Sequence, residues 1–295
     1  MAGGAKRRLL RLCLITGLVA TWPLPASAEG TLTWLLRDLP PLTIFEGPKK
    51  GQGALDQLLP KLIERLPEYQ HQVLHVNRAR GTQMLRAAAS TTCDPSMLWT
   101  PERAQYVAFS AQALVVVSNG VMIRRSQQQA MAPFIAAGEF DLQGFLDTPG
   151  TRLGATAERS YGPVIDDRLK HAESHKLALH YGNDALGSLL QMQRLGRLEA
   201  VLGYWPEIRY HALQQQIAAE DLRFFPIKGT APYQRIHIGC SDTAEGRQAI
   251  ERINQVLRDI PQAQLQQSYA SWLDPQTRAH YLQDNPRIFQ DSPEP

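Results

Sequence analysis

The chain has 295 residues, 43% of them hydrophobic and 7% aromatic, with 31 Lys and Arg against 28 Asp and Glu. That apolar share excludes a disordered chain, and the length suits one large domain or two ordinary ones. The basic excess sits at the front: Lys6, Arg7, Arg8 and Arg11 precede every acid, so the rest carries 27 bases against 28 acids, and no nucleic-acid or anionic-membrane partner is expected.

Residues 1–28 read as a signal peptide. A basic head at Lys6–Arg8 leads into an apolar run from Leu9 to Ala20, and Ala26-Ser27-Ala28 is a small-residue cleavage site. The run is short for a membrane span. An exported, soluble mature protein is expected. Cys13 leaves with the leader, so Cys93 and Cys240 remain, either as a disulfide or as two buried, inert thiols.

Thr31–Leu36 is a first strand, apolar enough to be buried on both faces, and Leu39-Pro40-Pro41 ends it in a stiff loop. Leu55, Leu58, Leu59, Leu62, Ile63 and Leu66 recur at helical spacing; Pro60, inside that pattern, is expected to kink the helix or to mark its start. Gln72–Val76 reads as a second strand and Thr82–Ala89 as a short helix preceded by Arg78 and Arg80. A long β-branched run, Ala113–Val117 and on to Ile123, looks like an extended crossing segment. Thr151–Ala155 is a strand, with Ser160 placed to cap a helix over Val164–His171. Asp184 opens and Gly196 closes a helix carrying Leu186, Leu189, Leu190 and Leu195, and Leu198–Tyr204 is the next strand. Pro206 starts a helix, Arg235–Cys240 is a strand, and the last helices carry Ile250, Ile253, Val256, Leu257 and Ile260, then Leu265, Tyr269 and Trp272. Alternating strands and helices predict α/β layers with mostly parallel sheets.

The stretch Thr100-Pro101-Glu102-Arg103 to Phe109-Ser110 places an arginine in the first turn of a short helix. A guanidinium there can grip a carboxylate as a two-pronged fork while the turn's free amides complete an anion site. His171 and His175 are four apart with Asp167 near, but no third ligand is in view, so neither metal nor cofactor is expected. No Gly-x-Ser-x-Gly elbow or phosphate loop is present, and no catalytic set is assigned.

Together, the Pro40-Pro41 loop, the Thr100–Arg103 turn with Phe109-Ser110, the Ser160-Tyr161 step and the run Gly196-Arg197-Leu198-Glu199-Ala200-Val201-Leu202-Gly203 resemble the polar-amino-acid branch of bacterial periplasmic solute-binding proteins. The resemblance implies a periplasmic protein with two lobes, each a sheet flanked by helices, joined by two crossing strands that act as a hinge. It places lobe 1 at 29–115 and 240–290, lobe 2 at 116–239, and a flexible tail at 291–295. Arg103 corresponds to the arginine that holds a ligand's α-carboxylate, and Ser160 and Tyr161 to the far lobe's amide and hydroxyl donors. Leu39, Leu98, Thr100, Tyr204 and Trp205 complete the expected ligand set. Tyr204-Trp205 stands where the family carries the acid that meets an ammonium, Leu39 where it carries an aromatic, and in the first helix only Asp56 is offered. Ordinary α-amino-acid recognition is therefore put in doubt.

The resemblance implies a small-molecule receptor, monomeric, handing its carboxylate-bearing solute to a membrane permease or sensor. An enzyme on the same fold, such as a cyclic-acid dehydratase, is the alternative; it would need a titratable acid or base in the cleft. Trp34 and Trp99 are expected in the core.

Overall fold

The computed structural model describes residue 1 and residues 30–290, with side chains to 284. The expected signal peptide, Cys13 and the tail at 291–295 lie outside the described residues. None of the described helices is long and apolar enough to cross a membrane.

The first sheet is built on β1 (Thr31–Leu36), which lies between β2 (Gln70–His75) and β3 (Thr92–Met97), parallel to both. Burial on both faces explains why β1 reads as a continuous apolar run: Leu32, Trp34 and Leu35 are fully buried. Between the strands run α1 (Ala54–Glu64) and α2 (Arg78–Ala87). Leu55, Leu58, Leu59 and Leu62 of α1 form its buried face, as their spacing requires, and Asp56 closes the helix start by accepting from the Gly53 and Ile44 amides at 2.9 and 3.0 Å. Pro60 neither starts nor ends this helix. It sits mid-helix on the exposed side, where the ring meets solvent and no core contact.

β4 (Val107–Val117) and β12 (Tyr233–Ser241) complete the sheet in the order β2-β1-β3-β12-β4, both antiparallel to their neighbours. Cys240 faces Cys93 directly across the β3–β12 ladder, and the two form a disulfide that closes a separation of 147 residues. Pro95 is accommodated inside β3 because the β3–β12 register shifts there, in keeping with proline's restriction to irregular positions in a sheet.

The second sheet is β11 (Leu222–Pro226), β5 (Gly120–Arg124), β10 (Ala200–Gly203), β8 (Leu153–Thr156) and β9 (Leu177–His180), in that order. Around it pack α4 (Leu142–Asp147), α5 (Pro163–His171), α6 (Ala185–Arg194) and α7 (Trp205–Gln214); a short helix α3 (Gln128–Met131) and the two-residue strands β6 (Ile135–Ala136) and β7 (Glu139–Phe140) fill the β5–α4 connection. One face buries Phe140, Phe145, Leu153 and Tyr161, the other Leu186, Leu189, Leu190 and Ile208. Leu195, expected on the apolar side of α6, is exposed, because α6 ends at Arg194 and Gly196 turns the chain away with φ +71°.

Both sheets are mixed, each with two parallel and two antiparallel pairings. The antiparallel pairings arise where the chain passes between lobes. It leaves the first sheet after Val117 and rejoins it at Tyr233, seven residues ahead of the boundary expected at 240, since Tyr233–Ile236 pair with Leu114–Val117. The helices α8 (Ala244–Asp259), α9 (Gln262–Ala270) and α10 (Pro275–Gln290) then cover the first sheet, burying Ile250, Ile253, Leu257, Leu265 and Tyr269 against β4 and α1.

Candidate ligand site between the lobes

The two crossings touch each other. The Ser118 amide donates to the Pro232 carbonyl at 3.0 Å, and fully buried Asn119 donates to Gln234 Oε1 at 2.9 Å and to the Tyr161 carbonyl at 3.3 Å. The amide of Gln234 also donates to the Tyr161 carbonyl, at 2.6 Å, and Tyr204 donates its phenol to Gln234 at 2.8 Å. Gly162 makes this approach possible: with φ +102° it caps α5, and a Cβ there would stand 2.7 Å from the Gln234 amide nitrogen.

Above that junction a trench runs between the lobes in two connected parts. The larger, about 910 Å³, is bounded on one side by Trp99, Thr100, Arg103 and Tyr106 and on the other by Ser160, Asp166, Leu177 and Leu179. The smaller, about 240 Å³, is bounded by Arg37, Leu39 and Arg78 from the first lobe and by Thr156, Asn183 and Glu207 from the second. Ala79, Glu158 and Arg159 border both parts.

Four arginines meet here, two of them neutralised. Arg37, 9% exposed, forks onto buried Asp94 and reaches the Ser96 hydroxyl at 2.5 Å. Burial opposes the charge on Asp94, but Arg37 and the Ser96 donors outweigh it and hold the carboxyl below its ordinary range. Arg159 makes a two-pronged bond to Glu207 at 3.0 and 2.8 Å, with side-chain exposures of 5% and 6%, and lies over the rings of Tyr161 and Tyr204 at 5.5 and 4.9 Å. Burial alone would favour neutral Arg159, yet Glu207 keeps it firmly protonated.

Arg103 and Arg78 have no carboxylate partner among the described residues. Arg103 sits in a single 3-10 turn, its amide held by the Thr100 hydroxyl at 3.2 Å and its guanidinium donating only to the Leu98 carbonyl, at 2.9 Å. Burial, then the positive charge of Arg37, pushes its pKa down. Arg78, in the first turn of α2, is pushed down to about 9 by burial and by the charges of Arg37, Arg159 and Arg103. Both remain cations at neutral pH, and each stands to gain from a bound anion.

The expected ligand set is thus partly gathered. Arg103, Thr100 and Ser160 border the larger part, Leu39 the smaller, and Tyr204 a narrow apolar crevice with Leu39 and Pro41 beneath. Leu98 serves through its carbonyl alone, its side chain belonging to the core. Four expectations need correction. Ser160 does not cap α5: Gly162 holds the cap position, the Ser160 hydroxyl donates to Asp166 at 2.5 Å, and the Tyr161 amide donates to the same carboxylate at 2.7 Å. Tyr161 is buried to 1% exposure, its phenol bonded to the Thr156 amide at 2.7 Å, so it belongs to the second lobe's core. Trp205 borders none of these spaces: it stacks on Phe224 at 5.3 Å and donates to Asp274 at 3.2 Å, tying the second lobe to the α9–α10 turn. Trp99, expected in the core, is 42% exposed at the mouth of the larger part, whereas Trp34 is fully buried. His171 and His175 are both exposed, beside Asp167 and Glu173. Sequence reasoning passed over Glu207 and the pairing of Arg159, 48 residues away, which no local pattern announces.

No family model matches the sequence, and no curated relative does. By fold the chain is a periplasmic-binding-protein-like molecule, two lobes of mixed sheet and helix around a cleft. Among solved structures it is similar to a histidine kinase sensor domain with similarity to periplasmic binding proteins (TM-score 0.63, 14% identity, covering 83% of this chain and 96% of that one). It is similar also to the amino-acid ABC transporter substrate-binding protein AbpA of Streptococcus pneumoniae bound to L-arginine (TM-score 0.61, 13% identity, 82% and 94% covered). A third similar structure is the periplasmic VFT2 domain of Bordetella pertussis BvgS (TM-score 0.56, 16% identity, 83% and 94% covered).

Proposed function

We propose that the protein is a periplasmic solute-binding receptor whose lobes close on a small carboxylate-bearing solute, and that the closed form is read by a membrane transporter or sensor. The observation that carries this is Arg103: a half-buried guanidinium on the wall of the interlobe trench, bonded to one carbonyl and to no acid among the described residues. A cation held in that state is poised for an incoming carboxylate, which can take both prongs of the fork. The two chain crossings, bonded to each other, supply the hinge about which the lobes swing. The fold is shared with both transport receptors and sensor domains, which supports either destination for the signal of closure.

Isothermal titration with a panel of small carboxylates tests the reading. Arg103→Ala is expected to weaken binding of any carboxylate solute by about 2 kcal/mol or more, the loss typical of a desolvated charge pair. Unaltered affinity would take Arg103 out of the site. Recovery of the solute unchanged after long incubation is expected; steady product formation would overturn the receptor reading.

A further inference from the structure

The trench holds more positive charge than one carboxylate would use. Arg78 is the second unmatched cation, and it lies in the smaller part of the trench, bordered by Arg37, Leu39 and Thr156, away from the wall that carries Arg103. Arg37 presses the same point, for its Nε is buried without a hydrogen-bond partner while its other nitrogens hold Asp94 and Ser96. Of the acids nearby, two are matched by arginines and two accept only from neutral donors. Asp94 is held by Arg37, Glu207 by Arg159, Asp166 by Ser160 and Tyr161, and Asp38 accepts from the Phe45 amide at 3.1 Å. Glu158, which borders both parts, is exposed. A ligand ammonium would have to share Asp38 or Asp166 with the donors they already hold, whereas a second anionic group would find Arg78 with no acid of its own among the described residues.

We infer that the solute carries two separate anionic groups and no ammonium, a dicarboxylate with one end on Arg103 and the other on Arg78 in the smaller cavity. This rests on the Arg103 reading above and adds the second seat. Local charge explains why the second seat selects: Arg78 borders the smaller cavity unmatched, in the field of unmatched Arg103 as well as of the paired Arg37 and Arg159, so an anion is favoured there and a cation is not.

The test compares succinate, glutarate and adipate with butyrate, valerate and hexanoate, and glutarate with glutamate, by titration calorimetry on the wild type, Arg78→Gln and Arg103→Gln. In the wild type at least one dicarboxylate is expected to bind about tenfold or more tighter than the monocarboxylate of equal length, the effect of one added charge-assisted bond. Arg78→Gln is expected to erase that preference, while Arg103→Gln loses binding of both series. Arg78→Lys, which keeps the charge without the fork, is expected to retain part of the preference and serves should the glutamine variant fail to fold. Equal affinity for the two series, tighter binding of glutamate than glutarate, or a preference that survives Arg78→Gln would overturn the second seat and leave the receptor reading standing. Failure of the whole series to bind, or indifference to Arg103→Gln, would overturn both.

Discussion

Replacing Glu207 by Gln isolates the energetics of the trench floor. The substitution keeps the volume and removes one charge, leaving Arg159 protonated, 5% exposed and without its carboxylate. Breaking a buried pair from one side costs about 3–5 kcal/mol, because the survivor's desolvation is no longer offset. For a protein of this size each kcal/mol moves the melting temperature by about 2–4 °C, so a fall of roughly 6–20 °C is expected in a thermal melt followed by circular dichroism. The two tyrosine rings under Arg159, 5.5 and 4.9 Å away, keep their attraction for the guanidinium in both proteins, so that contribution cancels in the difference. The double change Arg159→Met with Glu207→Leu removes both charges together and is expected to recover most of the stability. A drop under about 1 kcal/mol for Glu207→Gln would refute the account of Arg159 as a charge that depends on its partner.

Two further outcomes follow from the first lobe. Reducing the Cys93–Cys240 bond, or making the double serine variant, is expected to cost about 4–5 kcal/mol in a urea unfolding midpoint, since the bond closes a 147-residue separation and the chain-entropy cost grows slowly with loop length; a change under about 1 kcal/mol would contradict it. Asp94 titrates below the ordinary 3.8 in the folded state, so its contribution is fully present above that value and is lost as the pH falls below it. Acid unfolding of Asp94→Asn is accordingly expected to be flatter than wild type below about pH 4, on a baseline lowered by about 3–5 kcal/mol at neutral pH where Arg37 is stranded, and parallel acid curves for the two proteins would count against the pair.

What the sequence made legible was what local periodicity controls. Leu55, Leu58, Leu59 and Leu62 announced α1, and the long apolar run of β1 announced a doubly covered strand, because in both cases neighbours along the chain share one environment. β3 went unread: Thr-Cys-Asp-Pro-Ser-Met has the composition of a turn, and it is held as a strand by partners far off, Arg37 on Asp94 and Cys240 on Cys93. β9, β11 and α10 were missed as well, the first two being short and the last mostly polar. At the site, Arg103 was legible through its turn, Thr100-Pro101-Glu102. Tyr161 was expected as a ligand donor, and nothing local reveals that Asp166, five residues on, takes its amide. Arg78 gave no more than a hint of positive potential until α2 set its first turn against the second lobe.

The β4–β12 ladder has a larger implication. Its rungs run from Val107 opposite Ser241 to Val117 opposite Tyr233, and at that end the two strands would ordinarily be joined by a tight loop. In place of the loop stands everything from 118 to 232, a self-contained body grafted onto a hairpin tip whose two stems are one strand spacing apart. Such a waist is the geometry that the proposed closure requires, with the Trp205–Asp274 bond as a further tie between the two bodies. It also means that each wall of the trench is built on its own sheet, so side chains on one wall can change while the sheet behind the other keeps its packing.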